Sequence, residues 1–214
     1  MQGITVIIEH LESCLNRWIL SEYSYVARLF RRDLVFTNVK DPRHRRALSE
    51  LGKVVEKSVT EVLSNRDDVL VLDPWADQPL RCEDLGKVRY VVIGGIMGDN
   101  PPKRRTSTHI SSKMPRAFKR SLGPWQFTIA GAAYVLKEVI LGKELELIEV
   151  TKGIRIPLRL GRGIEGEIEL PYAFPTVNGR PVLPEDYLKI VAEGMLLYEQ
   201  RLLRGDEDVC YESA

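Results

Sequence analysis

After Ile93 come Gly94 and Gly95, then Gly98, Asp99 and Asn100, a double proline at 101–102 and three consecutive cations at 103–105. The residues just ahead, Arg89 to Ile93, carry the β-branched and aromatic character of a buried strand. Glycines at a strand end leave the backbone bare of side chains, so a ligand can approach it closely. Asp99 and Asn100 add polar groups at the same edge. Pro101 and Pro102 stiffen the exit, because each proline fixes its own φ and restricts its predecessor. The chemistry on offer is that of a cradle for a small ligand. On spacing alone, a tight turn without a ligand competes with it.

Two other stretches share this make-up. Leu72-Asp73-Pro74-Trp75 closes an apolar run, and Leu122-Gly123-Pro124-Trp125 precedes a long apolar segment. Three such loops would line one cleft if their strand ends lay together, since parallel sheets bind ligands beyond the carboxyl ends of their strands. Arg120-Ser121-Leu122 lacks strand propensity, so pattern leaves the third loop unplaced. A fourth glycine motif is a decoy. Gly161-Arg162-Gly163-Ile164-Glu165-Gly166 matches G-x-G-x-x-G, but the strand-like Glu167-Ile168-Glu169-Leu170 follows where a dinucleotide site needs a helix. A hairpin turn is predicted there. No Walker A sequence occurs, and no acid-x-Gly-x-Gly follows the first strand.

The elements that must position these loops read as follows. Ile4 to Ile8, Leu34 to Val39, Val69 to Leu72 and Val91 to Ile93 are strands, and their unbroken apolar runs suit burial on both faces. Apolar positions from Leu15 to Phe30 recur at helical spacing, predicting a helix over about 13–32. Asp41 caps a second helix that opens on Pro42 and runs to about Leu63. Gln126 to Gly142 reads as a buried helix. Strands alternating with helices imply a parallel α/β sheet. Residues 144–182 are rich in Gly and Pro and predict hairpins, with Asn178-Gly179 the clearest turn. Pro184-Glu185-Asp186 opens a last helix. The expected division is a core at 1–143 and, packed on it, an extension at 144–214.

The chain has 214 residues, a net charge of +1 and a pI near 7.7, unlike the strongly basic signature of a nucleic-acid-binding domain. Three widely spaced cysteines give no zinc knuckle. There is no basic, apolar leader and no apolar run long enough for a bilayer. These features lead us to expect a cytoplasmic protein without a membrane partner.

Five segments resemble one family in order and spacing: "IEHLE" at 8–12, "WILSEY" at 18–23, "LDP" at 72–74, "GGIMGDNPPKRRTS" at 94–107 and "LGPWQFT" at 122–128. The family is the SPOUT class of methyltransferases once described as predicted RNA methyltransferases, which includes a fungal arginine methyltransferase of a ribosomal protein. The resemblance covers roughly residues 4–142. It implies a SPOUT-type parallel sheet with a trefoil knot, which periodicity does not reveal. It also implies three loops that bind S-adenosylmethionine: Leu72, Asp73 and Pro74; Gly94, Gly95, Gly98 and Asp99; and Leu122, Gly123, Pro124 and Thr128.

Methyl transfer from a sulfonium mainly needs alignment of donor and acceptor. An arginine acceptor also needs a carboxylate to orient it and take its proton, because its pKa exceeds 12. Asp99 and Glu9 are the candidates, with Glu22 behind them; ordinary capping or ion pairing is the competing role for each. His10, at a strand end, suits a structural hydrogen bond better than a base. The acceptor reading stays divided between a ribosomal protein arginine and RNA, and a non-catalytic binding module is the third possibility. No acid occurs from Asn100 to Lys137, while eight Lys and Arg do, which would set a positive field beside the cleft if they shared a surface. Trp75 and Trp125 are candidates for stacking or for rim packing. Monomer and homodimer both fit.

Overall fold

The structure, a computed structural model, describes residues 3–98, 101–161 and 164–194, with backbone alone at 158–161 and 164–165. Six parallel strands form the main sheet: β1 (Thr5–His10), β2 (Leu34–Thr37), β3 (Lys53–Val54), β4 (Val69–Leu72), β5 (Tyr90–Gly95) and β6 (Phe118–Arg120). Their spatial order is β3-β2-β1-β5-β4-β6. The chain builds outward from β1 to β3, crosses to β4, and then inserts β5 between β1 and β4. Leu72 pairs with both Ile93 and Arg120, so β4, β5 and β6 end in one row.

Helices cover both faces, as the unbroken apolar strands require. On one face Val6, Ile8, Val91 and Ile93 pack with residues of α1 (Arg17–Phe30), α2 (Pro42–Ser49) and α6 (Ile129–Ile140). On the other, Ile7, Val71 and Val92 pack with Val59 of α3 (Val59–Val62), and with Ile110 and Met114, which follow α5 (Arg105–His109). A short α4 (Cys82–Leu85) precedes β5.

Two expectations are corrected. The helix predicted from Pro42 to Leu63 stops at Ser49. Gly52 then runs against β2, where a Cβ would lie 2.9 Å from the Leu34 carbonyl oxygen, and the chain adds β3 before Ser58 caps α3 with Glu61 in a reciprocal capping box. The segment before the third loop is also a strand. Pattern at Arg120-Ser121-Leu122 left the loop unplaced, but Phe118 to Arg120 pairs with β4, and the Arg120 guanidinium forms a two-pronged bond with Asp84 of α4 at 2.8 and 3.0 Å. Tertiary pairing overrides local preference there.

The hairpins expected at 144–182 form a three-stranded antiparallel sheet of β7 (Val150–Gly161), β8 (Ile164–Val177) and β9 (Arg180–Pro181). Gly161 pairs with Ile164, so the glycine decoy is a hairpin connection; Asn178 and Gly179 take positive φ in the next turn. Residues 187–194 are helical, and Tyr187 and Val191 pack on Ile156, Leu170 and Phe174 of the hairpin. Trp18 of α1 donates to the Tyr187 hydroxyl at 2.9 Å, joining this layer to the core. No described helix is long and apolar enough to cross a membrane.

Candidate active site at three strand ends

The three loops that leave β4, β5 and β6 enclose a cavity of about 430 Å³. Leu72, Asp73 and Pro74 line it from the first loop, Gly94 and Gly98 from the second, and Leu122, Pro124 and Thr128 from the third. Gly95 and Gly123 lie off the lining. Gly95 is needed for packing: a Cβ there would sit 2.8 Å from both the Glu9 carbonyl oxygen and Ile8 Cγ2. Gly123 has φ +89°, the left-handed backbone that shapes its turn. Asp99 lies outside the described residues.

Each loop is held by hydrogen bonds that patterning did not reveal. The Asp73 side chain belongs to a buried residue. Its Oδ1 accepts from the Trp75 N–H at 3.0 Å and the Ser107 hydroxyl at 2.9 Å, and its Oδ2 accepts from the Ser111 hydroxyl at 2.6 Å. The first loop is thereby tied to α5 and the turn after it. In the second loop, Glu12 Oε1 accepts from the Met97 N–H at 2.8 Å and from Arg105 at 3.1 Å, while Arg105 donates to the Met97 carbonyl. The Tyr172 hydroxyl of β8 donates to the Gly98 carbonyl at 2.7 Å, and a Cβ on Gly98 would collide with the Tyr172 ring and Gln126. In the third loop, Thr128 caps α6 through the Gly131 N–H at 3.1 Å, and the Gln126 carbonyl accepts from the Ala173 N–H at 2.9 Å. The hairpin therefore braces the second and third loops from outside the lining. Its aromatic-rich β8 was the available sequence signal, but strand character alone does not show where a strand docks.

The structure gives Glu9 a place away from the cavity lining. Its carboxylate accepts from Thr37 Oγ1 at 2.5 Å, Ser58 Oγ at 2.6 Å and the Val59 N–H at 2.9 Å, so it caps α3. All these bonds favour the carboxylate as an anchor and leave it badly placed as a base in the cleft. Glu22 is also buried. Its Oε2 accepts from the Ala130 N–H at 2.6 Å, at the start of α6, and its Oε1 has no partner among the described residues. Burial, the largest influence, pushes its carboxyl pKa up, against the opposing pull of Ala130, Tyr187, Thr128 and Trp18.

His10 is structural, as its position suggested. Its Nδ1 shares a hydrogen bond with the Tyr23 hydroxyl at 2.9 Å, and its Nε2 another with His44 Nδ1 at 3.1 Å. A directional chain satisfies these contacts: His44 Nδ1–H donates to His10, His10 Nδ1–H donates to Tyr23, and Tyr23 donates to the Gly95 carbonyl at 3.5 Å. Burial and then His44 lower the His10 pKa from 6.5 to about 4. In that window the unfolded chain binds a proton that the fold refuses, so stability is lost as pH falls from about 6.5 towards 4. A drop of about 2–4 kcal/mol across this range is expected for the wild type from the linkage relation. Urea melts at several pH values read it, and His10→Gln should flatten it.

The basic window does not form one free patch. Arg105 and Arg120 are spent on Glu12 and Asp84, Arg116 donates to the Asn65 carbonyl at 3.0 Å, and Lys137 lies over the Phe30 ring.

A family described as "Protein arginine N-methyltransferase SFM1-like" matches residues 5–197. Protein arginine N-methyltransferase SFM1 of Saccharomyces cerevisiae is 27% identical over 203 residues, spanning 86% of this chain and 92% of its own. The crystal structure of the yeast arginine methyltransferase SFM1 complexed with SAM superposes with a TM-score of 0.78 at 25% identity, over 90% of this chain and 92% of that one. The complex with SAH gives 0.76 at 26% identity, over 87% and 94%. A dual specific Trm10 from Thermococcus kodakaraensis shares the fold, with a TM-score of 0.52 at 19% identity over 66% and 95%. With its parallel sheet and strand-end loops of SPOUT type, this chain belongs to the SFM1-like family of protein arginine N-methyltransferases.

Proposed function

We propose that the chain moves the methyl group of S-adenosylmethionine to an arginine side chain of a ribosomal protein. The observation that carries this reading is the convergence of the β4, β5 and β6 loops on one cavity, in a chain whose relatives are described as arginine methyltransferases bound to SAM and SAH. The lining fits a nucleoside. Ile93, Leu122 and Ile129 give apolar walls, and the side-chain-free Gly94 and Gly98 bring backbone within reach.

When bound, the donor supplies a methyl group already activated by its sulfonium. The chain's part is to hold the loops in place and to align the acceptor. Tyr172 and the Glu12–Arg105 pair fix the backbone just before Asp99, and we assign Asp99 the role of receiving the guanidinium proton. Glu9 acts at one remove, by holding α3 against β1. Within the extension, Tyr172 and Ala173 of β8 brace the second and third loops.

Incubation with methyl-labelled donor and ribosomal fractions tests the proposal. Label that resists nuclease, is lost to protease and is recovered as methylarginine supports it. Label that resists protease and is lost to nuclease points to RNA. Tight donor binding without any transfer leaves a non-catalytic module.

A further inference from the structure

Trp75 is a part of the cavity lining that a nucleoside does not require. It is 47% exposed and stands at the rim, whereas the apolar walls at Ile93, Leu122 and Ile129 are buried. Its turn is fixed. The Trp75 N–H donates to Asp73 Oδ1 and the Ala76 N–H to the Asp73 carbonyl, each at 3.0 Å. The indole is therefore presented on a set backbone.

The ring face already carries a guanidinium. Arg104, exposed and also in the lining, places its guanidinium carbon 4.0 Å from the centre of the Trp75 ring. It does so from φ +54°, a left-handed backbone that is unfavourable for a residue with a Cβ. Its neighbours are engaged elsewhere: Arg105 pairs with Glu12, and Lys103 has a partner of its own. No carboxylate among the described residues pairs with Arg104, so the ring face is what its charge rests on. A cation–π contact at an exposed site is weak. The chain thus holds one of its own arginines, loosely, at the entrance that an acceptor arginine must use.

The lining decides what such an acceptor meets. Asp73 is the sole carboxylate among the described lining residues, and its oxygens are taken by the Trp75 N–H, Ser107 and Ser111. The flat indole is left for a planar cation. A guanidinium on an aromatic face keeps its N–H edges free for other partners. Stacking also covers one face alone. A guanidinium nitrogen attacks through its delocalised π system, perpendicular to the plane, so the opposite face stays open to the methyl group. An arriving protein covers the rim and excludes water, which strengthens the same contact.

We infer that Trp75 is the platform for the acceptor guanidinium, and that Arg104 occupies it as an internal stand-in until the acceptor displaces it. The inference rests on the arginine-acceptor reading proposed above and deepens it: Trp75 raises acceptor affinity, and Arg104 opposes it.

Methyl transfer to the ribosomal fraction, at saturating S-adenosylmethionine and varied acceptor, gives the acceptor KM. Calorimetry with S-adenosylhomocysteine reads the donor site in the same variants. Trp75→Leu keeps apolar bulk without a π face, and Trp75→Phe keeps a smaller face. KM should rise about tenfold or more for Leu and less for Phe, with S-adenosylhomocysteine affinity within about twofold of wild type in both. Arg104→Gly suits the left-handed backbone and vacates the ring, so KM should fall about threefold; Arg104→Lys keeps a cation and should stay nearer wild type. Added to Trp75→Leu, Arg104→Gly should change nothing further, since no platform remains to vacate. An acceptor KM unmoved by Trp75→Leu, or raised by Arg104→Gly, overturns the platform while the arginine-acceptor reading stands. Equal losses of acceptor and S-adenosylhomocysteine binding in Trp75→Leu place Trp75 in the donor site and overturn it too. Label found in RNA alone, or no transfer by a wild type that binds S-adenosylhomocysteine, overturns the acceptor reading and the platform with it.

Discussion

Asp73→Ala is expected to raise the dissociation constant for S-adenosylhomocysteine at least tenfold and to destabilise the chain by about 2–4 kcal/mol. The residue is 4% exposed and its two carboxylate oxygens accept three hydrogen bonds. Alanine leaves the Ser107 and Ser111 hydroxyls and the Trp75 N–H without their acceptor, and each stranded group costs about 1–3 kcal/mol if water does not replace it. The structural consequence is larger than the energy suggests. Helix α5 has five residues, too few to persist without tertiary anchors. Ser107 lies in it, and the Lys103–Arg105 side of the cavity leads into it. Losing the anchor lets the first and second loops part. Asp73→Asn keeps one oxygen acceptor and should fall between alanine and wild type. Calorimetry reads the binding, and a thermal melt reads the stability.

Arg120→Ala is expected to be the more damaging change to the fold. Asp84 and Arg120 pair through two bonds at 2.8 and 3.0 Å, with their side chains 4% and 15% exposed. Removing one partner strands the other's charge inside the protein, typically at about 3–5 kcal/mol. For a chain of this size that lowers Tm by about 6–20 °C. The variant also removes what holds β6 on the sheet edge, and the third loop departs from β6. The Arg120 guanidinium holds the Asp84 carboxyl below its usual range. The sign follows: this stability is present above the unfolded carboxyl value near 3.9 and is lost as pH falls through the lower folded value. Acid unfolding of the wild type should therefore show two arms, a His10 arm above about pH 4 and an Asp84 arm below it. Arg120→Ala should shrink the second arm and spare the first, with Asp41 and Asp68, held low by Arg43 and Arg66, keeping the rest of it.

The same residues show why parts of the fold were legible and parts were not. Val69 to Leu72 and Tyr90 to Ile93 announce themselves because central parallel strands are apolar on both faces. Asp41-Pro42 and Thr128 mark helix starts through local hydrogen bonds that short spacing encodes. Phe118-Lys119-Arg120 was opaque because its strand depends on a partner 36 residues away in sequence, Asp84, and on pairing with β4. Glu9 at a strand tip looks like a functional acid. That it caps α3 depends on Ser58 and Val59 folding back onto it, 49 and 50 residues on. Tyr172 was missed for the same reason: its bond to Gly98 spans 74 residues. The glycine loops were visible because close approach is a property of the residue itself. Of those glycines, Gly94 and Gly98 line the cavity, and Gly95 serves packing.

Titration calorimetry with S-adenosylhomocysteine tests most directly whether the β4, β5 and β6 loops form one nucleotide site. The expected result is one ligand per chain, with affinity weakened by a substitution in each loop: Asp73→Ala in the first, Gly98→Val in the second and Thr128→Ala in the third. Absence of uptake by the folded wild type, or uptake indifferent to all three substitutions, would contradict it.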